Sequence, residues 1–194
     1  MMRMSPHELF KNATAPVIDV VNGIKPDQLG APTPCSDYDV SKLINHLLYW
    51  GPSLDGAARK EIVPPPTAPE SEVDVPGDWQ PKLVAHFERL AEAWSDPAAW
   101  EGTTHMGGPT ELPAALVGGM VAGEIVVHGT DLARATGQPL EFDEALLAFL
   151  HKEVEANVEW GRDMGVYGPE VPVPADAPLL DRILGLTGRD PNSF

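Results

Sequence analysis

Apolar positions along this chain recur mostly at helical spacing, and that rhythm lays out its elements. Leu9, Ala13, Val17, Val20 and Val21 share one face of a helix predicted to start at Ser5-Pro6-His7-Glu8. Ser5 can cap it, Pro6 suits the first helical position, Glu8 can close a capping box, and Asn22-Gly23 supplies the stop. After a turn-rich connection over residues 26–34, Ser36-Asp37-Tyr38-Asp39 offers caps for a second helix over about 40–60. Its stripe is Val40, Leu43, Ile44, Leu47, Leu54 and Ala58. A third helix from Asp78 carries Leu83, Val84, Phe87, Leu90, Ala91 and Trp94, and Asp96-Pro97 ends it.

Residues 61–77 are Pro-rich and acidic and cannot bury much apolar surface, so a mobile loop that could act as a lid is expected there. Turn residues and two threonines over 100–109 predict a short hairpin. Thr110 is the expected cap of a fourth helix running to Thr136 and halted by Gly137. This is the most apolar element, and Gly118, Gly119 and Gly123 are expected to let neighbours approach closely. Asp143 opens a fifth helix with Leu146, Leu147, Leu150, Val154 and Val158, ending near Gly161. Residues 165–178 read as extended, and a short last helix covers about 178–186. With no internal repeat and no run of β-branched strands, the pattern predicts an all-α fold. Four long helices form a bundle with extra C-terminal helices, in one domain over residues 1–194.

Composition narrows the partners. Hydrophobic residues make up 43% and charged ones 22%, as in an ordinary soluble domain. A net charge of −16 argues against nucleic acid, which demands clustered Lys and Arg, and against an anionic membrane surface. The longest apolar stretch, 112–127, is interrupted by Glu124 and falls short of a span of about 20 residues. The N-terminus lacks the apolar core of a secretory signal, so a cytoplasmic location is expected. Cys35 is the single cysteine, which removes intrachain disulfides and Cys-based zinc clusters. With no cationic neighbour in sequence it is expected to be inert.

On a helical wheel, Glu124, His128 and Asp131 fall in the middle of a face made by Val117, Met120, Val121, Val127 and Ala135. An acid aimed at a bundle core costs several kcal/mol unless something compensates it. Glu124 and His128, four residues apart, point the same way, as two ligands of one metal ion must. Glu101 and His105 repeat the spacing where no helix is predicted and are set aside. His46, on the flank of the second helix's stripe, is the candidate third ligand. Such a nitrogen and oxygen set suits Zn²⁺, with Ni²⁺ or Fe²⁺ as alternatives, and three protein ligands leave open positions as catalytic sites do. No Glu-x-x-His occurs, which disfavours a ferritin-type di-iron site. The competing readings are a buried Glu124–His128 pair without metal and a His46 bonded to a carbonyl. Asp131 is a candidate partner for Arg134, an orienter of His128 or a further ligand. His7, His86 and His151 are expected at the surface, and the five tryptophans in the core or at its rim rather than around a ligand.

Three blocks carry a family resemblance. They are Thr33-Pro34-Cys35-Ser36-Asp37-Tyr38-Asp39-Val40 leading into Asn45-His46-Leu47; Gly123-Glu124-Ile125-Val126-Val127-His128-Gly129-Thr130-Asp131 continuing to Gly137; and Tyr167-Gly168-Pro169-Glu170 with Asp181-Arg182 and Gly188-Arg189-Asp190-Pro191. The chain resembles the actinobacterial branch of the DinB/YfiT-like metalloenzyme superfamily, and within it the N-terminal metal-binding domain of the mycothiol-dependent maleylpyruvate isomerases. The resemblance implies a bundle whose metal is held by His46, Glu124 and His128. It also implies that the metal activates a low-molecular-weight thiol, such as mycothiol or bacillithiol, for isomerisation or S-transfer. Those isomerases carry a second, sterol-carrier-like domain for which 194 residues leave no room, so metal binding transfers more readily than the substrate.

The expectation is a cytoplasmic, mononuclear metal-dependent enzyme acting with a thiol cosubstrate on a small electrophile, as a monomer or homodimer. Arg134 would bind an anionic group and Asp131 would orient His128. A metal-dependent hydrolase of a small ester or amide, a non-catalytic metal- or ligand-binding protein, and an acidic scaffold for a basic partner are the alternatives.

Overall fold

The computed structural model describes residues 5–194, so Met1 to Met4 and what was read from them lie outside it. Helix α1 (Pro6–Gly23) starts on the expected capping box: the Ser5 hydroxyl accepts from the Glu8 amide while the Ser5 amide donates to Glu8 Oε2 at 3.0 Å. Asp39 caps α2 (Val40–Ala58) by accepting from the Lys42 amide at 2.8 Å. Helix α3 (Trp79–Trp94) follows the proline-rich loop. Helix α4 (Ala114–Ala135) is followed by α5 (Glu144–Asp163), capped by Asp143, and by the short α6 (Leu179–Leu186).

Thr110 does not cap α4. The hairpin lies later than the turn residues suggested, with β1 (Thr103–His105) antiparallel to β2 (Glu111–Pro113) and Thr104 opposite Leu112. Residues just after Thr110 are therefore committed to a strand ladder, and Pro97–Trp100 forms a 3₁₀ turn before it. The Thr104 hydroxyl ties the hairpin to the Ala57 carbonyl at 2.6 Å.

Helices α1 and α2 each pack against both α3 and α4, while α5 joins α4 to α6. The core is filled by Phe10, Leu43, Leu83, Phe87, Trp94, Ile125 and Leu132, all buried. Phe10 stacks on Trp94 with ring centroids 5.9 Å apart. Helix α4 is the central element: by length and composition it could cross a membrane, yet 78% of its most apolar window is buried inside this fold. Three of its glycines admit close neighbours, Gly119 among them, where a Cβ would lie 3.2 Å from Glu153 Oε2. A Cβ on Gly129 would lie 2.4 Å from Val17 of α1, and one on Gly118 would lie 2.7 Å from the Trp100 ring. Gly123 differs from that expectation, because a Cβ there would meet nothing within 4 Å.

The loop over 61–77 is tied to α2 rather than left free. The Tyr49 hydroxyl donates to the Pro66 and Ala68 carbonyls, Ser53 to the Val63 carbonyl, and Asn45 to the Glu70 carbonyl. Polar side chains of α2 thus supply the anchoring that the loop's own composition cannot. Two histidines expected at the surface are buried. His151 lies in α5, and His86 of α3, 2% exposed, fills the space left by the missing side chain of Gly51. His86 Nδ1 has no hydrogen-bond partner among the described residues, and burial, aided by Arg89, lowers its pKa to about 4.

Candidate metal centre

Helix α2 carries His46 and α4 carries Glu124 and His128 one turn apart, and the packing of α2 on α4 brings all three together. One ligand atom from each lies within 4.8 Å of the others. His46 Nε2 is 2.9 Å and His128 Nε2 is 3.4 Å from the same oxygen, Oε1 of Glu124. Both rings therefore aim their Nε2 atoms at one carboxylate, and both turn their Nδ1 atoms toward another. His46 Nδ1 lies 3.1 Å from Glu70 Oε1 and 3.0 Å from the Tyr38 hydroxyl, while His128 Nδ1 lies 3.0 Å from Asp131 Oδ2. A carboxylate behind each imidazole fixes the ring and the nitrogen left free to ligate. Two imidazole nitrogens and one carboxylate oxygen, held in this way, fit a divalent ion of borderline softness.

The surrounding charges are arranged in a chain. Asp131 is wholly buried, and Arg189, from beyond α6, donates Nε to Oδ1 and Nη2 to Oδ2, each at 2.9 Å. On the other side, the Trp50 indole donates to Glu70 Oε2 at 2.9 Å. Burial alone would raise the Glu124 carboxyl, but His128 and His46 outweigh it and bring its pKa to about 2. Burial opposes charge on His46, yet the bond to Glu124 and the charge of Glu70 raise its pKa. Asp131 is lowered in spite of its burial, through His128 and Arg189. Burial raises the Tyr38 and Tyr167 hydroxyls, and Glu70 and Glu124 respectively add to this, so both stay protonated. Cys35 lies near Arg189 and Asp131, and burial pushes its thiol up against the pull of Arg189, which keeps it a poor nucleophile.

The three residues line a cavity of about 500 Å³. Its walls are otherwise mostly apolar, with Trp50 and Leu54 from α2 and Met120, Val121 and Val127 from α4. Met164 and Val166, 62% and 47% exposed, belong to the segment after α5 that also brings Tyr167 to the cavity.

Arg134 does not reach this space. It donates to the Pro191 carbonyl at 3.0 Å and lies 3.6 Å from Asp181, so the C-terminal segment satisfies it. The cation near the site is Arg189 instead. Sequence reasoning gave Glu70, Tyr38, Trp50 and Arg189 no part in the site, although Tyr38 and Arg189 fall in the blocks that carry the family resemblance. Trp50 follows His46 by one helical turn and that spacing could have placed it beside the site. Glu70 and Arg189 sit in irregular segments that carry no periodic signal.

The family described as the mycothiol maleylpyruvate isomerase N-terminal domain matches residues 10–133 of the chain. Uncharacterized proteins from two strains of Mycobacterium tuberculosis are 26% identical over 193 residues, covering 96% of this chain and 98% of theirs. Among solved structures, the mycothiol-dependent maleylpyruvate isomerase and a histidine-to-alanine mutant of it superpose with TM-scores of 0.59 and 0.60. They are 18% identical and cover 81% of this chain and 70% of their own, a likeness of fold. The matched family region includes His46, Glu124, His128 and Asp131, and stops short of Tyr167 and Arg189.

Proposed function

The chain belongs to the mycothiol maleylpyruvate isomerase N-terminal domain family, and on that premise we propose that it is a mononuclear metal-dependent enzyme. It uses a low-molecular-weight thiol of the mycothiol kind to isomerise a small electrophile or to transfer sulfur to it. The observation that carries this reading is the convergence of His46 Nε2 and His128 Nε2 on one oxygen of Glu124 in the wall of a cavity. A divalent ion held by these residues, Zn²⁺ before Ni²⁺ or Fe²⁺ by donor chemistry, would supply the positive charge that keeps a thiol ionised near neutral pH.

The chain's own groups have definable parts in this reading. Glu70 and Asp131 accept the Nδ1 protons of His46 and His128, so that each Nε2 lone pair points inward. Arg189 holds Asp131 ionised and in place. The apolar walls limit water around the reacting thiol, and Tyr167 keeps its proton as a hydrogen-bond donor. Because Arg189 reaches back from the last residues to α4, residues 5–194 work as one unit. A reduced thiol cosubstrate implies a reducing compartment, the cytoplasm.

The test is elemental analysis of protein purified without a chelating tag, beside Glu124→Ala and His128→Ala. About one divalent ion per chain is expected, lost in both variants, with thiol-dependent turnover of small electrophiles only in the loaded protein. Wild-type protein that takes up no ion when zinc, nickel and iron are offered would overturn the proposal.

A further inference from the structure

Residues 61–77 include five prolines and, apart from a 3₁₀ turn at Glu70–Glu72, no regular structure. One face of α2 sets their course. Asn45, His46, Tyr49, Trp50 and Ser53 recur at helical spacing, and each meets the segment through its side chain. Ser53 donates to the Val63 carbonyl at 2.7 Å, Tyr49 to the Ala68 carbonyl at 2.9 Å, and Asn45 to the Glu70 carbonyl at 3.2 Å. Pro64, Pro65 and Pro66 stiffen the stretch between these anchors, so the anchors act together.

The last anchor joins the segment to the candidate metal centre. Glu70 receives the Trp50 indole on Oε2, and its Oε1 lies 3.1 Å from His46 Nδ1. Among the described residues that line the cavity, none comes from 61–77. The segment therefore reaches the centre from behind His46 and does not cover its opening.

A neutral imidazole carries one N–H. A cation on His46 Nε2 leaves that proton on Nδ1, where Glu70 accepts it. With Nε2 donating to Glu124 Oε1 instead, at 2.9 Å, Nδ1 has no proton for Glu70 and accepts from the Tyr38 hydroxyl at 3.0 Å. A metal ion thus adds a charge-assisted bond to the segment, and the docked carboxylate in turn makes Nε2 a stronger ligand.

We propose that residues 61–77 form a strap whose docking on α2 is coupled to occupation of the metal centre, with Glu70 as the link. This rests on the metal centre of the function proposed above.

The test is hydrogen exchange and zinc affinity, both measured on the full chain at pH 8. The Glu72 and Val73 amides, bonded to the Pro69 and Glu70 carbonyls, exchange only when the 3₁₀ turn opens. Zinc is expected to slow them about fivefold or more, while the Glu101 amide, bonded to the Ala98 carbonyl, changes little. Tyr49→Phe removes the bonds to the Pro66 and Ala68 carbonyls without touching a candidate ligand. It is expected to leave Tm nearly unchanged and to weaken zinc about fivefold against a competing chelator. In a Glu70→Gln background the same substitution should have little further effect, because the link is already weakened. Equal exchange with and without zinc, equal zinc affinity in folded Tyr49→Phe, or additive losses in the double variant would each overturn the coupling. Protein that takes up no ion overturns the metal-dependent reading and this inference with it. Protein that binds zinc without protecting Glu72 and Val73 overturns this inference alone.

Discussion

Asp131 and Arg189, 58 positions apart, form a two-point ion pair in which the guanidinium meets both carboxylate oxygens at 2.9 Å. Asp131 Oδ2 also receives His128 Nδ1 at 3.0 Å, so the last segment of the chain braces a histidine of the central helix. The pair is thus both a structural tie and a support for the candidate metal centre.

Removing one partner strands the other. Arg189→Ala leaves the buried Asp131 carboxylate with only the His128 Nδ1 contact and is expected to cost about 3–5 kcal/mol of stability by denaturant titration. Arg189→Lys should recover only part of this, since an ammonium cannot match two oxygens as a planar fork does. A lysine variant as stable as the parent would refute the two-point account.

The carboxylate behind His46 should tune metal affinity without holding up the fold. Glu70 lies in a loop and its side chain is 22% exposed. Glu70→Gln is expected to weaken zinc binding about 10–100-fold, measured against a competing chelator, with Tm nearly unchanged. Unaltered affinity would mean that Glu70 does not orient the ring.

His86 should make the protein acid-sensitive. Its pKa in the fold is about 4 against an ordinary 6.5, because burial, with Arg89 adding to it, outweighs the opposite pull of Asp55 and Glu124. As pH falls below 6.5 the unfolded chain takes up this proton first, while the folded chain resists until about 4. Its contribution is therefore complete above the unfolded value and is lost as pH drops through that window, roughly 3 kcal/mol in all. In His86→Gln the slope of stability against pH between 6 and 4 should be shallower by up to about 1.4 kcal/mol per pH unit. Parallel slopes would contradict this.

Two glycines of one helix should respond to alanine with opposite signs. Gly129→Ala places a Cβ 2.4 Å from Val17 and is expected to destabilise by about 1–3 kcal/mol. Gly123→Ala meets nothing and should stabilise by up to about 1 kcal/mol through helix propensity. Thermal melts of the two variants decide it, and equal losses in both would mean that Gly123 is packed after all.

Much of the fold was legible in particular residues. Ser5 and Glu8, Asp39 and Asp143 act on backbone groups within a turn, so their capping roles could be read without knowing what lies elsewhere. Glu124 and His128 stood out because helical geometry puts them on one apolar face, and His46 as a flanking histidine on another helix. Thr110 misled because a possible cap also fits a hairpin loop, and the strand pairing of Thr104 with Leu112 decided between them. His86 misled because its burial depends on a missing side chain at Gly51, on a different helix.

What the sequence determined by itself was local: helices from periodicity and caps, an all-α class, and a short roster of candidate metal ligands. Those signals act over three or four residues and survive any global arrangement. Only the tertiary structure decided that Glu70 stands behind His46, that Arg189 rather than Arg134 serves the site, and that space remains above Gly123. The first two depend on where irregular segments return after 24 and 58 positions. The third is a gap between packed elements, and no residue encodes a gap until its neighbours are in place.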